Sequence, residues 1–309
     1  MVSRLLVRAA EEPGLERLAT SHPLARRIAL RFVAGEELPD GLAVASDLTA
    51  RGRRVSLDVV GERVSDEGDA DAAMRGYEAT IGAIETAGVP AGVSIKPSQL
   101  GTLLDVDRAR KRLVRLAEAA AGAVDHVTLD MEDSTTTQTT IDLVEALHAE
   151  GHTHVGCAVQ AYLHRTPVDV AQLCELGASV RLCKGAYAES ARVAHGRRSD
   201  VDAAYRRLAT YLLEHGTYPR LATHDHRLIG HVRREARRLG RASDDLEFQM
   251  LYGVRTDVQQ RLVAVGERVC VYVPFGAAWY PYLMRRLAER PANLLFLLRA
   301  LWSRKEPTP

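Results

Sequence analysis

The chain has 309 residues, 46% of them hydrophobic and 26% charged, enough to bury a substantial core in one large α/β domain or two ordinary ones, and too apolar for a disordered chain. Its 41 Lys and Arg against 40 Asp and Glu leave a formal charge of +1, so no global field draws it to nucleic acid or anionic lipid, and small-molecule chemistry is the leading expectation.

The start, "MVSRLLVRAAEEPGLERLATSHPLARRIALRFVAG", breaks its apolar residues with charges every few positions, which is the pattern of neither a signal peptide nor a membrane span. A cytoplasmic location is the default. Residues 1–50 read as an N-terminal helical arm that caps the remainder.

From residue 51 to 309 short apolar, β-branched runs alternate with helical patterns. The runs are "VSLDVV" (55–60), "GVSIK" (92–96), "HVTLD" (126–130), "HVGCAV" (154–159), "SVRLCKG" (179–185), "RLATHD" (220–225), "LEFQML" (246–251) and "VCVYVP" (269–274). Between them lie "RARKRLVRLAEAAAG" (108–122), "TTIDLVEALHAEG" (139–151) and "DAAYRRLATYLLEHG" (202–216), each ending at a glycine suited to a helix cap. Strand, helix, strand in this order predicts parallel strands joined by crossovers, and eight units of this size predict an α/β fold of the (β/α)8 TIM-barrel type. An open doubly wound sheet is the alternative, but no GxGxxG follows the first strand. The four cysteines, Cys157, Cys174, Cys183 and Cys270, form no CxxC and lie in hydrophobic stretches as reduced structural thiols.

Barrel enzymes carry their chemistry at the C-terminal ends of the strands. There the chain offers Lys96, Asp130, Gln160, Arg181, Lys184, Thr223, His224, Asp225, Gln249 and Tyr272. One buried charge of this kind is ordinarily a paired core residue, whereas repetition around a ring predicts a site. With Arg285, Arg286 and Glu289 of "WYPYLMRRLAERPANLLF" (279–296) the mouth carries excess positive charge, so an anionic ligand is expected. Tyr282, Arg285, Arg286 and Glu289 share a helix face, and the arginine pair reads either as a solvated face or as a carboxylate clamp. Gly185 in "RLCKGAY" leaves the backbone free to approach a ligand, or serves an ordinary turn. His224 and His226 have metal-ligand spacing if both stand on one strand, although a hydrogen-bonding role is the commoner outcome; His152 and His154 fall at the opposite face. A lysine Schiff-base aldolase using Lys96 or Lys184, a metal hydrolase using His224 and His226, and a helix-rich binding scaffold stay open on these residues alone.

Together "SIKPSQLG", "LDMEDS", "VQAYL", "RLCKGAY", "ATHD", "EFQMLYG" and "YVPFGAAWYPYLMRRLAERPAN" closely resemble the proline dehydrogenase family, in order, from about residue 50 to 300. The resemblance implies a monofunctional bacterial flavoenzyme, a (βα)8 barrel holding FAD at its strand C-termini. The expected reaction is oxidation of L-proline to Δ1-pyrroline-5-carboxylate by hydride transfer to FAD, with electrons passed to a quinone as the first step of proline catabolism. Peripheral contact with the inner membrane surface is implied, and nucleic acid and metal are not. Carried over by position, Lys96, Asp130 and Arg181 are catalytic. Arg285, Arg286 and Lys96 bind the proline carboxylate, Glu289 holds the clamp, and Leu182, Ala186, Leu251, Tyr272 and Tyr282 shape the pocket. Met131, Gln160, Arg181, Lys184, Gly185, Ala186, Tyr187, Thr223, His224, Asp225 and Gln249 surround FAD. Tyr282 favours proline over hydroxyproline. Pro97 departs from the leucine frequent in relatives.

Overall fold

Each predicted apolar run becomes a strand, because a sheet flanked by helices buries both of its faces and selects for continuous rather than alternating hydrophobicity. The computed structural model describes residues 29–61 and 64–289, the last five by backbone alone. In chain order the elements are α1 (Leu38–Ala50), β1 (Arg54–Val59), α2 (Glu67–Ala87), β2 (Ala91–Ile95), a 3-10 turn (Pro97–Leu100), α3 (Val106–Ala120), β3 (Val127–Leu129), α4 (Thr137–Ala149), β4 (Val155–Gln160), α5 (Thr166–Glu175), β5 (Val180–Cys183), α6 (Arg198–His215), β6 (Arg220–Ala222), α7 (His226–Arg238), β7 (Glu247–Leu251), α8 (Thr256–Ala264), β8 (Val269–Phe275) and α9 (Trp279–Glu289). The strands are parallel and close in sequence order, β8 pairing β1 with Ser56 opposite Tyr272. The (β/α)8 expectation therefore holds.

Local signals place the helices. Asp66 caps α2 by accepting from the Asp69 N–H at 2.9 Å, and Gly88 ends the same helix in the left-handed conformation at φ 61°. Pro97 sits at the first position of the 3-10 turn, where its missing N–H costs nothing. That turn places Lys96 at the end of β2 facing the barrel mouth. Residues ahead of β1 are tied to the far end of the chain: the Ala34 N–H donates to the Pro274 carbonyl at 2.8 Å, and α1 packs on β1 and β8. The earlier part of the predicted arm lies outside the described residues.

The apolar core fills the layer between sheet and helices, with Leu57, Val93, Leu129, Val159, Leu182, Leu221, Phe248 and Val271 all buried on that side. Alternate residues turn into the barrel and are polar to an unusual degree: Ser56, Ser94, Thr128, Arg181, Arg220, Glu247 and Gln249 are buried. Gly156 makes room for one of them. A Cβ there would collide with the Ser179 carbonyl and with the Arg220 guanidinium. Gly156→Ala is expected to destabilise the barrel by about 1–3 kcal/mol, the usual cost of overpacking, read as a lowered Tm with unchanged oligomeric state.

Among the described residues no helix is long and apolar enough to cross a membrane. The four cysteines are free, and burial pushes the Cys157 thiol up to about 12 and the Cys270 thiol well above its ordinary range, as structural thiols require.

Candidate active site

Inward residues of the strands build a cavity of about 990 Å³ at the C-terminal end of the barrel. Its lining divides by charge into an inner lobe, where Lys96 and Arg181 balance Asp58 and Asp130, and an outer lobe, where Lys184, Arg198, Arg206, Arg227 and Arg255 exceed Asp202 and Asp225.

The inner lobe is organised by Arg181, which is 3% exposed. Its guanidinium donates to Asp130 Oδ1 at 2.6 Å and to Ser94 Oγ at 3.0 Å through one nitrogen, and to Ser56 Oγ at 3.2 Å through the other. Ser56 and Ser94 also hydrogen-bond each other at 2.9 Å. The guanidinium lies over the Tyr272 ring, 5.3 Å from its centre, and the Tyr272 hydroxyl donates to Asp130 Oδ2 at 2.8 Å. Burial is the largest influence and opposes the charge on Arg181, yet Asp130, with smaller help from Tyr272, Cys183 and Cys270, holds the guanidinium above its ordinary pKa. Burial, then the charges of Asp130 and Asp58, push the Tyr272 hydroxyl well above the usual tyrosine range, so it stays a donor. Lys96 forms an ion pair with Asp58, which closes β1 on the inner side. The Lys96 N–H donates to Tyr77 Oη at 3.2 Å, fixing the strand end from behind.

Two glutamines face the cavity with their amide nitrogens already engaged. Gln160 Nε2 donates to the Glu132 carbonyl at 2.7 Å, and Gln249 Nε2 donates to buried Glu247. On this assignment both offer their side-chain oxygens to a ligand. His224 Nε2 accepts from the Leu251 N–H at 2.9 Å, which leaves the ring proton on Nδ1.

In the outer lobe Lys184 Nζ donates to Asp202 Oδ1 at 2.6 Å and to Asp225 Oδ2 at 3.3 Å. Asp225 also caps α7 by accepting from the Arg227 N–H at 2.9 Å. Burial works against its charge, but that N–H, Lys184 and Arg198 together hold its carboxyl below the usual range. The N-terminus of α7 opens on the cavity alongside Arg198, Arg206, Arg227 and Arg255, an electrostatic setting for a phosphate or another anion.

The cavity thus gathers Lys96, Asp130, Met131, Gln160, Arg181, Lys184, Gly185, Ala186, Tyr187, Thr223, His224, Asp225, Gln249, Leu251, Tyr272 and Tyr282. Leu182 departs from its expected place. It follows inward-facing Arg181 on β5, so the strand's alternation turns it outward, where it is wholly buried in the helix-facing core. The side chains of Arg285, Arg286 and Glu289 lie outside the described residues. Gly185 is needed for its own reasons, since it has φ 110° and a Cβ there would strike the Tyr162 ring. The HxH pair does not share a strand: β6 ends at Ala222, His224 stands in the following turn and His226 opens α7. Among the described residues the ligand atoms close enough to hold a metal are instead those of His126, Glu247 and Cys270 in the barrel interior, within 4.8 Å of one another. Positive charge from Arg220, Arg181 and Arg54 reaches His126 and opposes a cation there.

The sequence reading missed Asp58, Asp202 and Arg206, which also line the cavity. Asp58 had a detectable signal in its position, two residues after Ser56 on the inward side of β1, and Asp202 and Arg206 share a helix face at i,i+4.

The sequence model described as proline dehydrogenase matches residues 42–299. A proline dehydrogenase of Deinococcus radiodurans is 37% identical over 302 residues, covering 96% of this chain and 97% of the relative. Proline dehydrogenase 2 of Bacillus subtilis is 35% identical over 271 residues, covering 88% and 89%. A crystal structure of proline utilization A (PutA) from Bdellovibrio bacteriovorus, inactivated by N-propargylglycine, matches with a TM-score of 0.81 and 25% identity over 92% of this chain. The chain spans 34% of the length of that larger protein.

Proposed function

The chain belongs to the proline dehydrogenase family, whose reaction is proline oxidation in proline catabolism, and on that premise we propose that it uses FAD and delivers electrons to a quinone. The observation that carries the reading is the two-lobed cavity: glutamine oxygens and a buried arginine at one end suit a flavin ring, and the cationic outer lobe suits a pyrophosphate. Gln160, Arg181, Gln249 and His224 would hold the ring, and Lys184, Arg198, Arg206 and Arg227 the outer portion. Bound there, FAD would supply a two-electron acceptor for the hydride leaving C5 of proline.

The chain's own residues provide position and field. Arg285 and Arg286, with Lys96, grip the substrate carboxylate and lock the ring against Tyr272, Leu251 and Tyr282. Tyr282, buried and on the cavity lining, would help exclude water from the bound substrate. Arg181, fixed by Asp130, Ser94 and Ser56, holds a positive charge at the base of the cavity without reorganisation. The product is Δ1-pyrroline-5-carboxylate. A cytoplasmic enzyme that visits the membrane surface to meet its quinone completes the proposal. A Schiff-base mechanism is disfavoured because Lys96 and Lys184 are both bound to carboxylates, the opposite of the setting that frees an amine for attack.

The test is colour. The purified protein is expected to be yellow, or to become so with added FAD, and to bleach on anaerobic addition of L-proline. A protein that takes up no flavin, or a flavin that proline leaves oxidised, overturns the reading.

A further inference from the structure

Asp58 is 0% exposed and yet lines the cavity. One of its oxygens, Oδ1, meets the Lys96 ammonium; the other, Oδ2, is buried and has no hydrogen-bond partner among the described residues. A carboxylate oxygen in that state keeps its desolvation cost until a donor arrives. Lys96, Asp130 and Tyr272 line the same cavity, and the charge of Asp58 reaches the Tyr272 hydroxyl. A donor N–H satisfies that oxygen, best one that carries or develops positive charge, and the Lys96 ammonium, paired through one donor with Oδ1, has further donors to offer an anion. An α-amino acid has both, its nitrogen and its carboxylate separated by one carbon. A buried Lys–Asp pair with one unpaired carboxylate oxygen is therefore complementary to such a head group in charge.

We propose that Asp58 Oδ2 accepts the ring N–H of proline, making Asp58 a substrate-binding residue for the amine as Lys96 is for the carboxylate. The inference rests on the proline-oxidation reading given above. Oxidation at C5 would turn the nitrogen lone pair into the new C=N bond, the N–H proton staying on nitrogen, and bound FAD would supply the acceptor for the hydride. The nitrogen gains positive charge as this happens, and its hydrogen bond to an anionic oxygen strengthens accordingly. Holding the N–H at Asp58 also turns the lone pair away from that oxygen, leaving it available to the breaking C–H bond.

The test compares Asp58→Asn with the unaltered holoenzyme, using L-proline and its ring-oxygen analogue tetrahydrofuran-2-carboxylate, which keeps the carboxylate but lacks the N–H. Asp58→Asn is expected to lower kcat/KM for proline on the order of 10- to 100-fold, with flavin content unchanged and kcat reduced. Affinity for the ring-oxygen analogue should hold or improve, because an acceptor facing an acceptor has been removed. If Asp58 served only to place Lys96, both ligands would weaken by the same factor, and that result overturns the proposal, as does unchanged proline turnover. Asp58→Glu supplies a second route should the first variant fold poorly: it keeps the charge for Lys96 but moves the open oxygen, and the same split between the ligands is expected. An unaltered protein that binds flavin but ignores proline would instead sink the functional reading itself.

Discussion

Asp130→Ala is expected to lower kcat/KM for L-proline by roughly 100- to 1000-fold, because it removes the partner of two groups at once and strands a buried charge. Arg181 is 3% exposed, and its other partners are hydroxyls of Ser94, Ser56 and Thr128, which carry no compensating charge. Breaking a buried pair by deleting one member costs about 3–5 kcal/mol, divided here between lost stability and a guanidinium that reorients toward solvent or the cavity. The Tyr272 hydroxyl loses its acceptor in the same step. Asp130 is also among the charges that hold the Tyr272 hydroxyl above its ordinary range, so its loss should lower that pKa and bring any alkaline limb of the rate profile to lower pH. Asp130→Asn should be milder, since an amide oxygen can still take one of the two donors. The measurement is steady-state kinetics across pH together with thermal unfolding. A variant with wild-type kcat/KM would show that the Arg181–Asp130–Tyr272 network is only structural.

The eight strands were legible because parallel barrel strands are buried on both faces and so read as uninterrupted apolar runs with polar groups at their C-terminal ends. The mouth residues were legible for the same reason: Lys96, Asp130, Gln160 and Thr223 break the apolar pattern where the strand stops. Asp58 was obscured by that rule. It sits inside "VSLDVV", one residue before its strand ends, and a lone acid in an apolar run looks like a paired core residue until its register against Ser94 of β2 is known. The hydroxyl bed under Arg181 was hidden similarly, as Ser56, Ser94 and Thr128 are small residues spread over three strands and meet only when the barrel closes. Leu182 shows the opposite error. A motif carried over whole placed it beside Arg181, whereas the two-residue period of a strand sends neighbours to opposite faces. Ion pairs such as Lys184–Asp202 join a residue after the end of β5 to one on α6, and no local pattern encodes that meeting.

Replacing either Arg285 or Arg286 with methionine is expected to raise the KM for L-proline by roughly 10- to 100-fold and, with both replaced, by roughly 1000-fold or more, while flavin content stays intact. The backbone supplies the argument. α9 starts four residues after β8 ends, and Tyr282 on that helix is buried and lines the inner lobe. Positions 285 and 286 follow Tyr282 by three and four residues, the spacing that shares a helix face. Of the described residues around the inner lobe, Lys96 and Arg181 are each already matched by an acid, Asp58 and Asp130. A substrate carboxylate entering there adds a negative charge that those pairs do not offset, and two guanidinium forks on the adjoining helix would offset it. Methionine preserves the length and apolar stem of arginine and removes only the fork, so a loss of affinity would report on charge and hydrogen bonding rather than packing. Arg285→Lys and Arg286→Lys should fall between, keeping the charge but losing the paired donors. Because the substitutions act on uniform binding of the carboxylate, KM should rise more than kcat falls; a fall in kcat alone, or normal proline binding in both variants, would remove the clamp from the mechanism and leave Lys96 as the anion's sole anchor.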